Sequence, residues 1–274
     1  MTLERDLGDP SPMLLTQPSV SQLVAIAAVS AIGGAVNSIA GGGTLLTFPA
    51  LLGLGVTPVS ANATSTVALW PGSLASMLGY RRELEGSERW AIKLAIPSLL
   101  GGLTGAGLLM ATSDDQFRAI VPWLVFGATL LFAFQARFMK WLRHYVTEVP
   151  HGPAPIEPTR GMIIAQYFVA IYGGYFGAGA GIVMLATFGL MGMTNIHRMN
   201  GLKNFNGICF NGIAAITFAL KGLVNWPIAL VMAIGSSAGG YAMSGLAQKV
   251  PQAWVRGAVS LIGIGSAVWL FLSR

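Results

Sequence analysis

The residue with the clearest chemical implication is Lys203, which lies at the head of an apolar run that continues to about Leu220. A charge at the centre of a bilayer costs roughly 2.5–3.5 kcal/mol on insertion scales, so an ionisable residue in a membrane segment indicates a functional site. All 10 Asp and Glu residues of the chain lie outside its apolar stretches. We therefore expect a negatively charged molecule from outside the protein to bind beside Lys203.

Hydrogen-bonding side chains accompany Lys203 at helical spacing, and a matching cluster occurs earlier in the chain. The earlier cluster comprises Asn62, Ser65 and Thr66, and the later one comprises Asn200, Lys203 and Asn204. Positions i, i+3 and i+4 of a helix share one face, so each cluster presents its polar groups together. Amide and hydroxyl donors with one lysine suit an oxyanion that must be held and then released.

Glycine-rich breaks interrupt two apolar segments, at residues 37–44 and 177–181. Glycine permits the backbone to unwind and turn sharply. A helix that starts after such a break presents free N–H groups and the positive end of its dipole to an anion. The sequence therefore predicts further substrate contacts at the breaks. These predicted contacts are Asn37, Gly42, Gly43, Thr44, Gly179 and Gly181.

Each of these features also has a purely structural interpretation. Glycines let helices approach closely, and Ser, Thr and Asn side chains hydrogen-bond between helices or cap them. Lys203 lies only 5 residues after Arg198, close enough to a polar loop for its ammonium group to extend to the membrane surface. The sequence alone leaves these alternatives open.

Composition places the chain in the membrane. Of its 274 residues, 54% are hydrophobic and 9% are charged, and the mean hydropathy is +0.65. About 20 apolar residues cross a hydrocarbon core of about 30 Å as a helix. These values predict an all-α membrane protein. The apolar stretches lie near residues 20–40, 43–57, 61–80, 91–111, 117–137, 161–176, 180–194, 201–220, 226–247 and 253–272.

The reactive residues do not have the placement that an enzyme needs. The three histidines, His144, His151 and His197, lie in predicted loops, and the only cysteine is Cys209. A general base or a metal-ligand set inside the membrane is therefore not expected. The net charge of +6 is spread over loops and forms no basic run suited to nucleic acid. We expect no cofactor, no metal site, no enzymatic activity and no nucleic-acid partner.

The chain repeats itself with an offset of 138–140 residues. Matching pairs are Gly33 with Gly173, Gly41 with Gly181, Asn62 with Asn200, Ser65 with Lys203, Thr66 with Asn204 and Gly101 with Gly239. The repeat divides the chain into an extracytoplasmic tail at 1–19, a transmembrane repeat at 20–138, a cytoplasmic proline-rich linker at 139–160 and a second transmembrane repeat at 161–274. Each repeat is expected to hold about four or five membrane segments, one of them broken by glycine or re-entrant.

The distribution of basic residues predicts that the two repeats are inverted relative to each other. Arg81, Arg82, Arg89 and Lys93 follow the third apolar stretch, whereas the equivalent loop of the second repeat carries only Lys221. The positive-inside rule then puts the linker in the cytoplasm and both termini outside. Inverted repeats with matching broken helices are typical of secondary transporters, whose substrate site lies near the membrane midplane.

These motifs resemble those of a known family. Residues 37–43, 62–65 and 197–204, together with the duplication over roughly residues 20–272, resemble the sulfite exporter TauE/SafE family. The resemblance implies a carrier of small anions in the bacterial inner membrane, with sulfite, sulfoacetate and other organosulfonates as substrates. The family is usually drawn with about eight spans, which leaves open whether residues 43–57 and 180–194 cross the membrane.

We expect a secondary transporter that exports small anions by alternating access. The membrane potential is worth about 2.3 kcal/mol per charge per 100 mV and drives anions outward, which favours export. An anion channel is one alternative, because channels also use lysine-lined pores. An intramembrane lipid-phosphate hydrolase is another, although the apolar stretches hold no catalytic acid or base. The expected partners are the anion, membrane lipid and, as one assembly, a second copy of the chain in a homodimer.

Overall fold

The structure is a computed structural model that describes residues 18–80, 87–148, 157–190, 193, 196–246 and 252–273. Predictions that concern the tail at 1–17, Arg81, Arg82 and residues 149–156 of the linker lie outside these ranges, as does the side chain of His197. Within the described residues the backbone forms ten helices and no strand. They are α1 (Val20–Ala40), α2 (Thr44–Gly53), α3 (Pro58–Tyr80), α4 (Glu88–Ala111), α5 (Asp114–Glu148), α6 (Arg160–Tyr175), α7 (Ala180–Leu190), α8 (Ile196–Leu220), α9 (Trp226–Leu246) and α10 (Gln252–Leu272).

The all-helical prediction is confirmed, and each predicted apolar stretch contains one helix. The largest difference concerns α5, which continues to Glu148 and so enters the segment predicted as a linker at 139–160. No proline interrupts the chain between Pro122 and Pro150, and a helix can therefore continue through this stretch. Glu157, near the end of the predicted linker, forms an ion pair with Lys93 of α4, and this contact holds the pKa of the Glu157 carboxyl below its usual range.

Three segments are long and apolar enough to cross a membrane within the described part of the chain: Val20–Ser38, Glu88–Ala111 and Asp114–Phe134. The helices α3 and α8 are also long, at 23 and 25 residues, but Ser, Thr and Asn residues interrupt their apolar runs. By contrast, α2 and α7 have only 10 and 11 residues. At 1.5 Å per residue each extends about 15–17 Å, roughly half of a hydrocarbon core.

Small residues bring the long helices together in two similar pairs. The helix α1 packs against α9, and α6 packs against α4. A Cβ atom on Gly105 of α4 would lie 2.1 Å from the carbonyl oxygen of Ile171, and one on Gly239 of α9 would lie 1.8 Å from that of Ala31. Neither position accepts a larger residue without moving a helix backbone. Glycine therefore lets the helices approach closely at both interfaces.

The helices α3 and α8 contact each other between these two pairs, and α3 also packs on α9 while α8 packs on α4. Aromatic rings fill the adjoining core. Phe48 of α2 contacts Phe117 of α5 and Phe176 edge-to-face, with ring centroids 6.2 and 5.7 Å apart. Phe176 directly precedes the second glycine break. The core therefore fixes the position of that break relative to α2 and α5.

Candidate functional site

The two glycine breaks lie against each other. The first follows α1, where Gly41 has a φ of +75° and donates its N–H to the carbonyl oxygen of Asn37 at 3.1 Å. The second contains Gly177 and Gly179, with φ values of +82° and +79°. The N–H of Gly179 donates to the carbonyl oxygen of Gly41 at 3.2 Å. Residues without a side chain at these positions allow both the left-handed turns and the close approach.

Both short helices begin at this meeting point. In α2 the N–H of Leu45 donates to Gly42, and in α7 the N–H of Ile182 donates to Gly179, at 3.1 and 2.9 Å. The first backbone N–H groups of a helix have no acceptor within that helix. In α2 and α7 these groups include the N–H of Thr44 and the N–H of Gly181. The positive ends of the α2 and α7 dipoles therefore lie next to the breaks.

A partly open cavity of about 450 Å³ adjoins the breaks on the α7 and α8 side. No acidic residue is among the described residues that line it. The lining residues are Asn37, Ser38, Gly41, Ser73, Ser76, Gly177, Ala180, Gly181, Met184, Lys203, Asn204, Gly207, Phe210 and Asn211. Ala180, Met184 and Phe210 contribute apolar groups to the lining, and the remaining side chains are amides, hydroxyls and one lysine.

Lys203 and Asn204 give this larger cavity its electrostatic character. Lys203 is buried, with 3% of its surface exposed, about 10 Å along α8 from the first residue of that helix. If the ammonium group extended to the membrane surface, Lys203 would be exposed. The burial of Lys203 therefore does not fit that interpretation. The side-chain nitrogen of Asn204 is buried and has no hydrogen-bond partner among the described residues. A buried donor without an acceptor is costly, so a ligand oxygen here would relieve that cost.

A second, smaller cavity of about 290 Å³ lies on the α2 and α3 side. Its lining residues are Asn37, Thr44, Thr66, Leu69, Trp70, Ser73, Gly177 and Asn211. The indole N–H of Trp70 donates to the carbonyl oxygen of Ile208 at 3.1 Å, which ties α3 to α8 at this cavity. No charged residue is among the described residues that line the smaller cavity.

Six of the predicted contact residues line one or both cavities. They are Asn37, Thr44, Thr66, Gly181, Lys203 and Asn204. The structure brings them together from both halves of the chain, on α1, α2, α3, α7 and α8.

The other six predicted residues are not among those lining either cavity. Ser65 is fully buried and shares a hydrogen bond of 2.6 Å with Thr47 of α2. Asn62 is also fully buried and donates from its amide to the carbonyl oxygen of Tyr175 at 2.9 Å. These contacts join helices, so the structural interpretation describes both residues.

The remaining glycines and Asn200 serve the backbone or lie outside the cavities. A Cβ atom on Gly42 would lie 2.6 Å from the Phe132 ring, and one on Gly43 would lie 2.5 Å from the carbonyl oxygen of Gly33. Gly179 uses its N–H to bind Gly41. Asn200 lies one turn before Lys203 and lines neither cavity.

Sequence reasoning missed the serines that continue the polar face of α3. Ser73 and Ser76 line the larger cavity and follow Thr66 and Leu69 at helical spacing. The same 3.6-residue period that grouped Asn62 with Thr66 could have found them. Ser38 pairs with Ser76 through a hydrogen bond of 2.6 Å, which links α1 to α3 beside Lys203.

A family model for the sulfite exporter TauE/SafE family matches residues 26–270. This match covers helices α2 to α9 in full, most of α1 and α10, and all residues that line the two cavities. The chain belongs to the sulfite exporter TauE/SafE family.

Curated relatives of this TauE/SafE protein carry transporter names. The Escherichia coli K12 protein "Probable membrane transporter protein YfcA" is 28% identical over 85% of this chain and 84% of its own length. A Sinorhizobium protein, "Probable membrane transporter protein ORF9", is 25% identical over 87% and 88%. A Haemophilus influenzae "Probable membrane transporter protein" is 26% identical over 80% and 83%. No solved structure matches the chain. The chain is a multi-pass membrane protein of a transporter family.

Proposed function

We propose that this protein is a secondary transporter that exports small anions, sulfite or organosulfonates, across the bacterial inner membrane by alternating access. The observation that carries this proposal is the composition of the larger cavity. A buried lysine, Lys203, and an unsatisfied amide donor, Asn204, face a space to which the described residues contribute no acid. Such a set of groups attracts a negative charge and can donate hydrogen bonds to its oxygens.

The backbone adds a second source of positive potential. Ala180 and Gly181, the first residues of α7, line the same cavity as Lys203. A helix N-terminus favours an anion by its dipole and by its unused N–H groups. Lysine contributes a point charge without the bidentate geometry of arginine, which suits an anion that must leave again.

Pairing between the cavities supports an inverted arrangement of the repeats. Asn204 and Met184 line the larger cavity, and their repeat equivalents, Thr66 and Thr44, line the smaller one. The helix contacts are paired in the same way, α1 on α9 and α6 on α4. In a carrier built from inverted repeats, repeat-equivalent positions lie on either side of one site, and alternating access results when one repeat rocks against the other around that site.

The proposed orientation places both termini outside and the larger cavity toward the cytoplasm. Arg89 and Lys93 at the start of α4 and Arg198 at the start of α8 lie at the ends that the positive-inside rule assigns to the cytoplasm. Lys203 would then meet the anion first from the cytoplasm. The membrane potential drives an anion outward from there.

An anion channel is the alternative to an alternating-access carrier, because a channel can also use a lysine-lined pore. Counterflow in proteoliposomes separates the two. Vesicles loaded with unlabelled sulfite should concentrate external labelled sulfite transiently if a carrier exchanges them. Purely dissipative flux, with no transient accumulation, would indicate a channel instead.

Binding supplies an independent test of the substrate class. Sulfite, thiosulfate, sulfoacetate and lactate should be compared by the thermal stabilisation that each gives to the purified protein, which rises with ligand occupancy. We expect sulfite or an organosulfonate to stabilise the wild type, with a loss of the effect in Lys203→Met. If none of the four anions stabilises the wild type, the proposed substrate class is wrong.

A further inference from the structure

Four residues line both cavities and so form the boundary between them. They are Asn37, Ser73, Gly177 and Asn211, called the waist from here on. Any path that joins the larger cavity to the smaller one passes these residues. They come from α1, the second glycine break, α3 and α8.

The waist consists of two pairs of repeat-equivalent positions. Asn37 and Gly177 are 140 residues apart, and Ser73 and Asn211 are 138 residues apart, which are the offsets of the internal repeat. The boundary between the cavities therefore coincides with the place where the two halves of the chain present equivalent positions to each other. A barrier at this place borders both cavities and is built from equivalent positions of the two repeats, as is expected of a transport site that both repeats share.

The hydrogen bonds at the waist are not shared equally between α1, α3 and α8. Asn37 donates from its side-chain nitrogen to the Ser73 hydroxyl oxygen at 3.0 Å. Gly177 has no side chain, and Asn211 donates its amide to the carbonyl oxygen of Gly207, within its own helix, at 3.0 Å. The Asn37–Ser73 hydrogen bond is therefore the side-chain contact that joins two of the described waist residues.

No charged side chain belongs to the waist. An anion that reaches it can be held there only by neutral donors, which bind more weakly than a charged group. Lys203 contributes its charge to the larger cavity, whereas the equivalent residue, Ser65, is tied to Thr47 and lines neither. Lys203 therefore attracts the anion on one side of the waist only. An anion that passes through the waist meets neutral groups on the other side.

We propose that the waist is the barrier that an anion crosses between the two cavities, and that the Asn37–Ser73 hydrogen bond is its latch. This inference rests on the proposed transport function. An anion leaving Lys203 offers its oxygen to the Asn37 amide in place of the Ser73 hydroxyl. The latch then opens by exchange of one acceptor for another, so the Asn37 donor is not left unsatisfied.

Blocking the waist covalently tests its position on the path. Ser73→Cys, in a Cys209→Ser background that leaves it as the sole thiol, is alkylated with iodoacetamide, because sulfite cannot cleave the thioether that forms. We expect the attached group to stop flux of labelled sulfite in proteoliposomes, whereas the Cys209→Ser protein treated in the same way should keep its flux.

Ser73 also lines the larger cavity, so stabilisation of the modified protein by sulfite locates the block. Retained stabilisation supports a block at the waist, and lost stabilisation would show that the group fills the binding cavity instead and would contradict the proposal. Ser73→Leu fills the same place without labelling and should give the same loss of flux, judged by the same stabilisation measurement.

Ser73→Ala tests the latch itself. The variant removes the acceptor of the Asn37 amide and adds no bulk, so sulfite flux at saturating concentration should rise by roughly two- to tenfold, the range of one net hydrogen bond. Unchanged or slower flux in Ser73→Ala would overturn the latch. Full flux in labelled Ser73→Cys, or in Ser73→Leu, would remove the waist from the path. Wild-type protein that transports no sulfite would instead contradict the proposed function, so the two failures are distinct.

Discussion

The N–H of Gly179 donates a hydrogen bond of 3.2 Å to the carbonyl oxygen of Gly41, and this bond joins the broken segments of the two halves of the chain. The residues that follow each partner start a short helix, α2 or α7, beside a cavity. The bond therefore fixes the relative position of two helix N-termini. The geometry of the candidate site depends on the contact between these two glycines.

Substituting alanine at either glycine should destabilise the protein. Both residues have a left-handed backbone, which costs a residue with a Cβ atom about 1–2 kcal/mol. At Gly41 the new Cβ would also lie 3.3 Å from the Cα atom of Gly181. We expect Gly41→Ala to lower the melting temperature more than Gly179→Ala. Gly53→Ala, with no atom within 4 Å of the new Cβ, is the matched control and should leave the melting temperature near that of the wild type.

The helix-packing glycines should be the least tolerant positions in the chain. A Cβ atom on Gly239 would lie 1.8 Å from the carbonyl oxygen of Ala31, so Gly239→Ala must separate α9 from α1. Overpacking of this kind costs about 1–3 kcal/mol or more. Gly265→Ala, in α10, meets nothing within 4 Å and provides the control. The yield of folded protein in detergent, measured by size-exclusion chromatography, should fall for Gly239→Ala alone; equal yields would contradict the close contact.

Asn204 should contribute to affinity more than to stability. Its side-chain nitrogen has no acceptor among the described residues, so Asn204→Ala removes an unsatisfied donor. A hydrogen bond to a charged ligand is worth about 1.5–3 kcal/mol, which corresponds to at least a tenfold rise in the Kd for sulfite. Asn204→Asp has nearly the same shape but places a negative charge in the cavity and should abolish binding. Titration calorimetry would measure both, and an unchanged Kd in Asn204→Ala would exclude this contact.

Ser65 should behave in the opposite way. Its hydroxyl group shares a hydrogen bond of 2.6 Å with Thr47, and its side chain lines neither cavity. Ser65→Ala removes that bond from a fully buried site and should lower the free energy of unfolding by about 1–2 kcal/mol. The Kd for sulfite should not change. A weaker affinity with an unchanged melting temperature would instead support the direct contact that the sequence predicted.

The helices were predictable because their signals are local. Runs such as 91–111 and 117–137 are apolar over a membrane-spanning length, and glycine, proline or polar residues mark most of their ends. The breaks at Gly41 and Gly177 were visible for the same reason. The internal repeat added long-range information, since it paired Thr66 with Asn204 before any contact between helices was known.

The direction of each polar group was not predictable to the same extent. Asn62 and Thr66 share a face of α3, yet only Thr66 lines a cavity, because the end of α6 covers Asn62. Which part of a polar face meets a neighbouring helix depends on packing that one sequence does not specify. Ser73 lies on the same helical period, but the apolar residues between Thr66 and Ser73 separate it from the first polar cluster in the sequence.

The most direct test of the account is sulfite flux through Lys203→Met in proteoliposomes. Methionine keeps the length and packing of the side chain but removes its charge, and the melting temperature of the variant in detergent shows whether it is folded. Lys203→Arg, which retains the charge with a different shape, is the matched control. The account predicts at least a hundredfold loss of flux in folded Lys203→Met and partial activity in Lys203→Arg. Near-normal flux in Lys203→Met would contradict the central role of this ammonium group.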